Sequence, residues 1–303
     1  MFLVVGATGT LGGSIAKKLL QAGERVRVLV RGSSPARAHG PHTDPEELRQ
    51  AGAEVVSGDL RDPESLRRAA QGVRVVVSTA SGTKRAPPDT TGAVDGEGTA
   101  NLAAAATEAG VARFVLVSAA GAGEGAPAGL LQDKWRGEEA LRASGVPHAI
   151  LRPARFMGDW IGFLLGAQLA GGGGVVELVG DAEKPSSFVD EPDVAEVAAR
   201  LARDPGSGPA EVHALSAERA TYPELVERVA RLLGAPLSLR RLPLGAEVTT
   251  VAPELAPVIT RLATIHAMMP AYDAVDTAVA DRYGVRLTGV DDYLRRAFAP
   301  QPA

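Results

Sequence analysis

The chain has 303 residues, 45% of them hydrophobic, with a formal net charge of −4 and no cysteine. That length suits one large domain or a nucleotide-binding domain with a smaller companion, and the apolar fraction suffices for a sizeable core. The acidic balance argues against nucleic-acid binding by bulk charge, and without thiols there is no disulfide framework, thiol nucleophile or thiolate metal site.

Met1-Phe2-Leu3-Val4-Val5 is an apolar strand that runs into three glycines spaced three apart, Gly6, Gly9 and Gly12. Residues 11–22 then follow helical spacing and stop at Gly23, and a second apolar run spans 25–30, which completes a β-α-β unit. These are the parts that hold a dinucleotide pyrophosphate. Gly6 allows the sharp turn, Gly9 lets backbone approach phosphate, and Gly12 lets the helix lie close on the sheet. Thr8 lies in the same turn, and the amides near Thr10 and Leu11 are expected to face the pyrophosphate, helped by the positive end of the helix dipole.

The second strand ends Val30-Arg31-Gly32-Ser33-Ser34, with Arg37 close behind and no acid among them. An NAD site places a carboxylate here to accept from the ribose 2′-hydroxyl, whereas Arg31, Ser33 and Arg37 suit a 2′-phosphate. The expected cofactor is therefore NADP(H). Solvated loop charges in an arginine-rich chain are the competing account of these residues.

Helical patterns at 45–51, 63–70, 99–109 and 133–143 alternate with strand-like runs at 54–56, 73–79, 113–118 and 148–151, while 82–94 reads as a loop around Pro87 and Pro88. Such alternation predicts an α/β fold, a doubly wound parallel sheet of the Rossmann kind with helices on both faces. Ligands in such sheets sit at the strand ends, which adds Asp59 and Leu60, then Thr79, Ala80 and Ser81, then Ser118.

Beyond Pro153 the pattern changes. Strands are expected at 175–179 and 211–215, and helices at 193–203, 222–233, 251–269 and 291–298. The expected organisation is a dinucleotide-binding domain over 1–153 and a smaller, mixed C-terminal part over 154–303 that returns to the sheet at least once and forms a substrate pocket. Pro153 and Phe156 leave the sixth strand where the nicotinamide end belongs. Met157, Trp160 and Phe163 read either as an apolar pocket or as a core cluster at helical spacing. His148 reads as structural, Asp190 and Asp193 as loop and cap residues, and no metal-binding set or Ser-His-Asp arrangement stands out. The first strand begins at Met1 and the longest apolar stretch, 161–170, is too short to span a bilayer, so a cytoplasmic location without membrane or nucleic-acid partners is expected.

Several segments together resemble the NmrA-like branch of the atypical short-chain dehydrogenase/reductase superfamily. They are Gly6-Ala7-Thr8-Gly9-Thr10-Leu11-Gly12, Val30-Arg31, Gly58-Asp59-Leu60 with Asp62-Pro63-Glu64-Ser65-Leu66, Gly98-Thr99-Ala100-Asn101-Leu102, Arg113-Phe114-Val115, and Leu151-Arg152-Pro153. The resemblance covers residues 1–200 well and weakens thereafter. It implies an NAD(P)-binding protein, either a reductase of small molecules or a regulator that senses the cofactor and acts through a protein partner.

Typical catalytic members use a Tyr four residues before a Lys, the Tyr giving a proton while the Lys holds the nicotinamide ribose. Lys134 matches that lysine, but the tyrosine position holds Leu130, and all four tyrosines, Tyr222, Tyr272, Tyr283 and Tyr293, lie in the C-terminal part. Lys134 reads as a ribose ligand or acid, or else as a surface lysine pairing with Glu138 one turn on. Ser118 reads as a proton relay or a strand-end hydroxyl. Two functions remain open: an NADPH-dependent oxidoreductase of a small apolar carbonyl, quinone or enone, and a non-catalytic NADP(H) sensor.

Overall fold

The computed structural model describes residues 1–298 apart from 33–41, 84–87, 128, 172, 182, 205–207, 209 and 270. Two compact units emerge from the chain. One comprises Met1–Pro153, Pro192–Ala214 and Ala278–Val285; the other comprises Ala154–Glu191, Leu215–Thr277 and Arg286–Ala303.

The first unit starts with β1 (Phe2–Val5), α1 (Thr10–Gln21), β2 (Val26–Val30), α2 (Pro45–Gln50) and β3 (Glu54–Ser57). It continues through α3 (Pro63–Ala70), β4 (Val75–Ser78), α4 (Thr99–Glu108), β5 (Arg113–Val117), α5 (Leu130–Ala143) and β6 (His148–Pro153). Every residue of β1, β4 and β5 is buried. Burial on both faces is what continuous Val-rich runs with no polar alternation encode, and it requires helices on either side. The strands β1 to β6 pair in parallel in the order β3-β2-β1-β4-β5-β6, and β10 (Ala210–Leu215) joins beside β6. This order reverses direction between β1 and β4, and that reversal opens a crevice at the carboxyl ends of those two strands.

Local signals set the helix starts. The Asp62 carboxylate accepts from the amides of Glu64 (3.1 Å) and Ser65 (3.3 Å), with Pro63 at the first turn of α3. On the other side of the sheet, Lys18 of α1 pairs with Glu196 at 2.6 Å. Glu196 belongs to α7 (Glu191–Arg203), nearly all of which lies in this unit.

Residues 82–94, expected as a loop, behave differently from Gly92 on. Gly92–Gly98 forms a π-helical turn that leads directly into α4. Three glycines in seven residues hid it, since they carry no hydrophobic period. A fourth glycine packs against this turn: a Cβ on Gly137 of α5 would lie 2.3 Å from the carbonyl oxygen of Asp95 and 3.1 Å from Thr99 Cβ. Only glycine lets α5 and the turn approach so closely.

The second unit holds β7 (Arg155–Phe156), a π-helical turn over Gly158–Phe163, α6 (Leu164–Ala170), β8 (Val175–Val179) and β9 (Ser186–Val189). After its return it adds β11 (Glu218–Ala220), α8 (Tyr222–Leu233), β12 (Ser238–Leu242), α9 (Ala256–Met268) and α11 (Val290–Phe298), while the short α10 (Ala278–Arg282) belongs to the first unit. It contains a three-stranded sheet, β11-β9-β7, and a two-stranded one, β12-β8. Sequence reading misses β7, β9, β11 and β12. Three have four residues or fewer, and β12 interrupts its apolar positions with Arg240 and Arg241. The helix expected from 251 starts at Ala256 because Pro253 and Pro257 place its first turn there.

Gly137→Ala is expected to lower unfolding free energy by about 1–3 kcal/mol through overpacking, measured by urea denaturation. Gly125→Ala, whose Cβ would meet nothing within 4 Å, should stay within about 0.5 kcal/mol. Equal effects would contradict the close approach of α5.

Candidate functional site

Gly6 has φ +89°, a left-handed conformation that glycine adopts without steric cost. Its carbonyl accepts from the Gly9 amide at 2.9 Å. A Cβ on Gly12 would lie 2.3 Å from the Gly6 oxygen and 2.6 Å from Thr79 Oγ1. The turn, the helix start and the end of β4 therefore close on one another with no room for side chains. Gly9 is the N-cap of α1 and offers no side chain to its first-turn amides, and such a cradle is the form that binds a phosphate group. A cleft of about 80 Å³ runs along Gly6, Thr8, Val30, Leu60, Thr79 and Ala80. It shares Arg31 and Asp59 with a larger cavity of about 300 Å³ lined also by Ser57, Arg61, Ser65 and Arg68. The expected strand-end residues Asp59, Leu60, Thr79, Ala80 and Ser81 thus converge with the glycine turn. Thr10 and Leu11 open α1 beside it.

At the end of β2, Arg31 pairs with Asp89. Asp89 is buried and also lies 3.5 Å from Arg61. The guanidinium of Arg61 grips Asp59 through Nε (3.1 Å) and Nη2 (2.7 Å), and this bond holds the Asp59 carboxyl below the usual carboxylate range. Sequence shows no acid beside Arg31; the fold supplies one from 58 residues away. Ser33 and Arg37 lie outside the described residues.

Lys134 is not the surface lysine that pairs with Glu138. Its side chain is 11% exposed, and its ammonium lies 3.0 Å from Asp95 and donates to the Val117 carbonyl at 3.3 Å. Asp95 also accepts from the Gly82 amide (2.9 Å) and Ser81 Oγ (3.3 Å), so it ties the end of β4 to α5. An ammonium has three N–H donors. One is taken by the Val117 carbonyl, while Asp95 Oδ1 pairs with the ammonium by charge without an aligned hydrogen bond, which leaves N–H donors for a ligand.

Glu138, fully buried, serves a second network. Ser118 Oγ donates to it at 2.6 Å, Arg152 Nε at 2.9 Å and Arg142 Nη2 at 2.9 Å. The Ser118 proton is committed to a carboxylate, an arrangement that serves positioning more than proton relay. Asp95 and Glu138 are the residues sequence reading missed, and their only signal was a carboxylate in a glycine-rich turn and an i+4 spacing from Lys134. Leu130 is half-buried at the start of α5. Pro153 closes β6, where its carbonyl accepts from the Ala120 amide at 2.9 Å. His148 is structural, its Nδ1 lying 2.8 Å from the Val146 carbonyl.

Phe156 and the three expected substrate residues belong to the second unit. Met157 is fully buried in the apolar core of that unit, so it is a packing residue and not an exposed pocket wall. Phe156 is half-buried in β7; Trp160 and Phe163 are half-buried and pack against the same core. Two buried polar groups lie in the same unit. Arg155 is 5% exposed, with its guanidinium 5.8 Å from the Trp160 ring centre. His266 is fully buried, 4.6 Å from Tyr222 between ring centres. Burial, with Arg155 and Lys184 nearby, holds the His266 imidazole down at about 3.

The sequence profile of the NmrA-like family matches residues 1–294. The chain belongs to the NmrA-like family. This family binds NAD(P). A Streptomyces griseus protein named (4-alkanoyl-5-oxo-2,5-dihydrofuran-3-yl)methyl phosphate reductase is 33% identical over 262 residues, spanning 86% of this chain and 83% of its own. A ceramide reductase of Caulobacter vibrioides is 32% identical over 243 residues, 79% of this chain and 73% of its own. Among solved structures, triphenylmethane reductase of Citrobacter sp., complexed with NADP(H), superposes with a TM-score of 0.75 at 22% identity, over 98% of this chain and all of its own. It shares the fold. Among the described residues no helix is long and apolar enough to cross a membrane, and no cluster of His, Asp and Glu has the makings of a metal site.

Lys134→Met should destabilise the protein by about 3–5 kcal/mol, because it strands the buried Asp95 charge. Adding Asp95→Asn should recover part of that loss in a double-mutant cycle by urea denaturation, and strict additivity would contradict the pairing. His266 generates a second expectation. Its folded value lies below its unfolded one, so the unfolded chain binds the extra proton between about pH 6.5 and 3. Stability from this group is complete above about pH 6.5 and falls by about 1.4 kcal/mol per pH unit below it. His266→Gln should remove one proton from the slope between pH 6.5 and 5 in pH-dependent unfolding, and an unchanged slope would contradict it.

Proposed function

We propose that this protein binds NADP(H) in the first unit and reduces a small apolar carbonyl, quinone or enone. The observation that carries the reading is Lys134, paired by charge with Asp95 and hydrogen-bonded to the Val117 carbonyl, with N–H donors left over. A buried cation with its own buried counter-ion is costly to build for a purely structural purpose. Its position in α5 suits a ribose hydroxyl. The Gly6–Gly12 cradle would take the pyrophosphate, Asp59 and Leu60 the adenine edge, and Arg31 the 2′-phosphate, exchanging Asp89 for it.

NADPH, when bound, supplies a hydride, and the protein supplies binding and orientation. Leu130 has no proton to give. The proton that completes reduction would come from Lys134 or from water, which suits acceptors such as quinones and enones that need no strong acid. Residues Phe156, Trp160 and Phe163 favour an apolar acceptor. The names of the Streptomyces and Caulobacter relatives, both reductases, support the reaction class.

Leu130 also favours a second reading, a sensor that binds NADP(H) without turnover. NADPH oxidation against a panel of quinones, enones and aldehydes separates the two. Turnover supports the reductase; tight NADPH binding with no turnover on any acceptor leaves the sensor. Arg31→Asp is expected to weaken NADPH binding by about tenfold or more while changing NADH binding little. Equal losses for both cofactors would overturn the 2′-phosphate assignment.

A further inference from the structure

The second unit holds a group of buried polar side chains that its core does not explain. Arg155 of β7 stands opposite Phe188 of β9 in register, and Ser186 lies two residues before Phe188. Side chains two apart on a strand share a face, as do directly paired neighbours. Arg155, Ser186 and Phe188 therefore project from the same face of the three-stranded sheet. Against that face, Phe188 meets Tyr222 edge-on (6.5 Å between centres), Tyr222 meets His266 (4.6 Å), and Trp160 lies 6.2 Å from His266 and below Arg155. The Tyr222 hydroxyl is spent on the Trp160 carbonyl at 2.7 Å.

Two donors in this group have no acceptor. His266 is fully buried with neither ring nitrogen hydrogen-bonded, and Ser186 is 1% exposed with its Oγ unpaired. A neutral imidazole always carries one N–H, and leaving such a group unsatisfied costs about 1–3 kcal/mol. Cations gather at the same place. Lys184 is half-buried, and both its ammonium and the His266 ring are discouraged from carrying charge by burial and by the positive charge of Arg155. Asp181, which is exposed, opposes Lys184 and His266. A patch rich in buried donors and positive charge is complementary to an oxyanion.

We propose that Arg155, Lys184, Ser186 and His266 form an anion-recognition site for an oxyanion carried on an apolar body, a phosphate monoester or a carboxylate. As part of the acceptor's chemistry this rests on the reductase reading; the site itself does not. The Arg155 guanidinium adds a fixed positive charge, Lys184 adds a second, Ser186 and His266 donate, and Trp160 and Phe188 bound the apolar portion.

Calorimetric titration of the full chain with hexyl phosphate, hexanoate and hexanol tests the assignment without turnover. At least one anion should bind about tenfold or more tighter than hexanol. Preference for hexyl phosphate identifies a phosphate ester, and preference for hexanoate a carboxylate. Arg155→Met should abolish the preference, and Lys184→Met, at a half-exposed position less able to disturb folding, should reduce it about tenfold. NADPH affinity should be unchanged in both. Hexanol binding as well as either anion, or an undiminished preference in the folded Lys184→Met protein, would overturn the site. Anion preference with no NADPH turnover would remove the reductase reading and leave the site standing; turnover without anion preference would do the reverse.

Discussion

Asp95 sits almost wholly buried in the π-helical turn before α4, and four groups converge on its carboxylate or its backbone. Lys134 pairs with it, the Gly82 amide and Ser81 hydroxyl bond to it, and Gly137 leaves room for its carbonyl. This one negative charge therefore sets the end of β4, the approach of α5 and the position of the ammonium that the candidate site depends on. A buried carboxylate is tolerated only with a counter-charge, and a buried ammonium likewise. Each thus fixes the other, and the chain that joins them becomes part of the site.

Much of the site's frame was legible in the sequence because it depends on backbone chemistry. A strand, three spaced glycines and a helix dictate the cradle whatever else surrounds them, and the Val-rich runs of β1, β4 and β5 dictate a sheet covered on both faces. Side-chain partners were less legible. Asp89 meets Arg31, and Glu138 takes Ser118, Arg142 and Arg152 instead of Lys134. Such choices are made by three-dimensional proximity, which spacing along the chain does not reveal. The second unit was read least well, since its short strands carry too few residues for a period to show and Met157 turned inward to the core.

The two units differ in the side chains that they concentrate. The first concentrates glycine, backbone amides and a single positioned ammonium, the equipment for holding a dinucleotide. The second concentrates aromatic rings, a buried guanidinium, and an imidazole whose ring nitrogens have no hydrogen-bond partner. Leucine at position 130 offers no acid and leaves the glycine cradle and the Lys134–Asp95 pair as they are. On the proposed reductase reading, the acceptor has to take a hydride with little acid assistance.

Equilibrium binding of NADPH and NADH to the unaltered protein tests the NADP(H) site of the first unit most directly. With Arg31 at the end of β2 and its neighbouring carboxylates already engaged by arginines, NADPH should bind about tenfold or more tightly than NADH. Equal affinity for the two, or no binding of either, would contradict it.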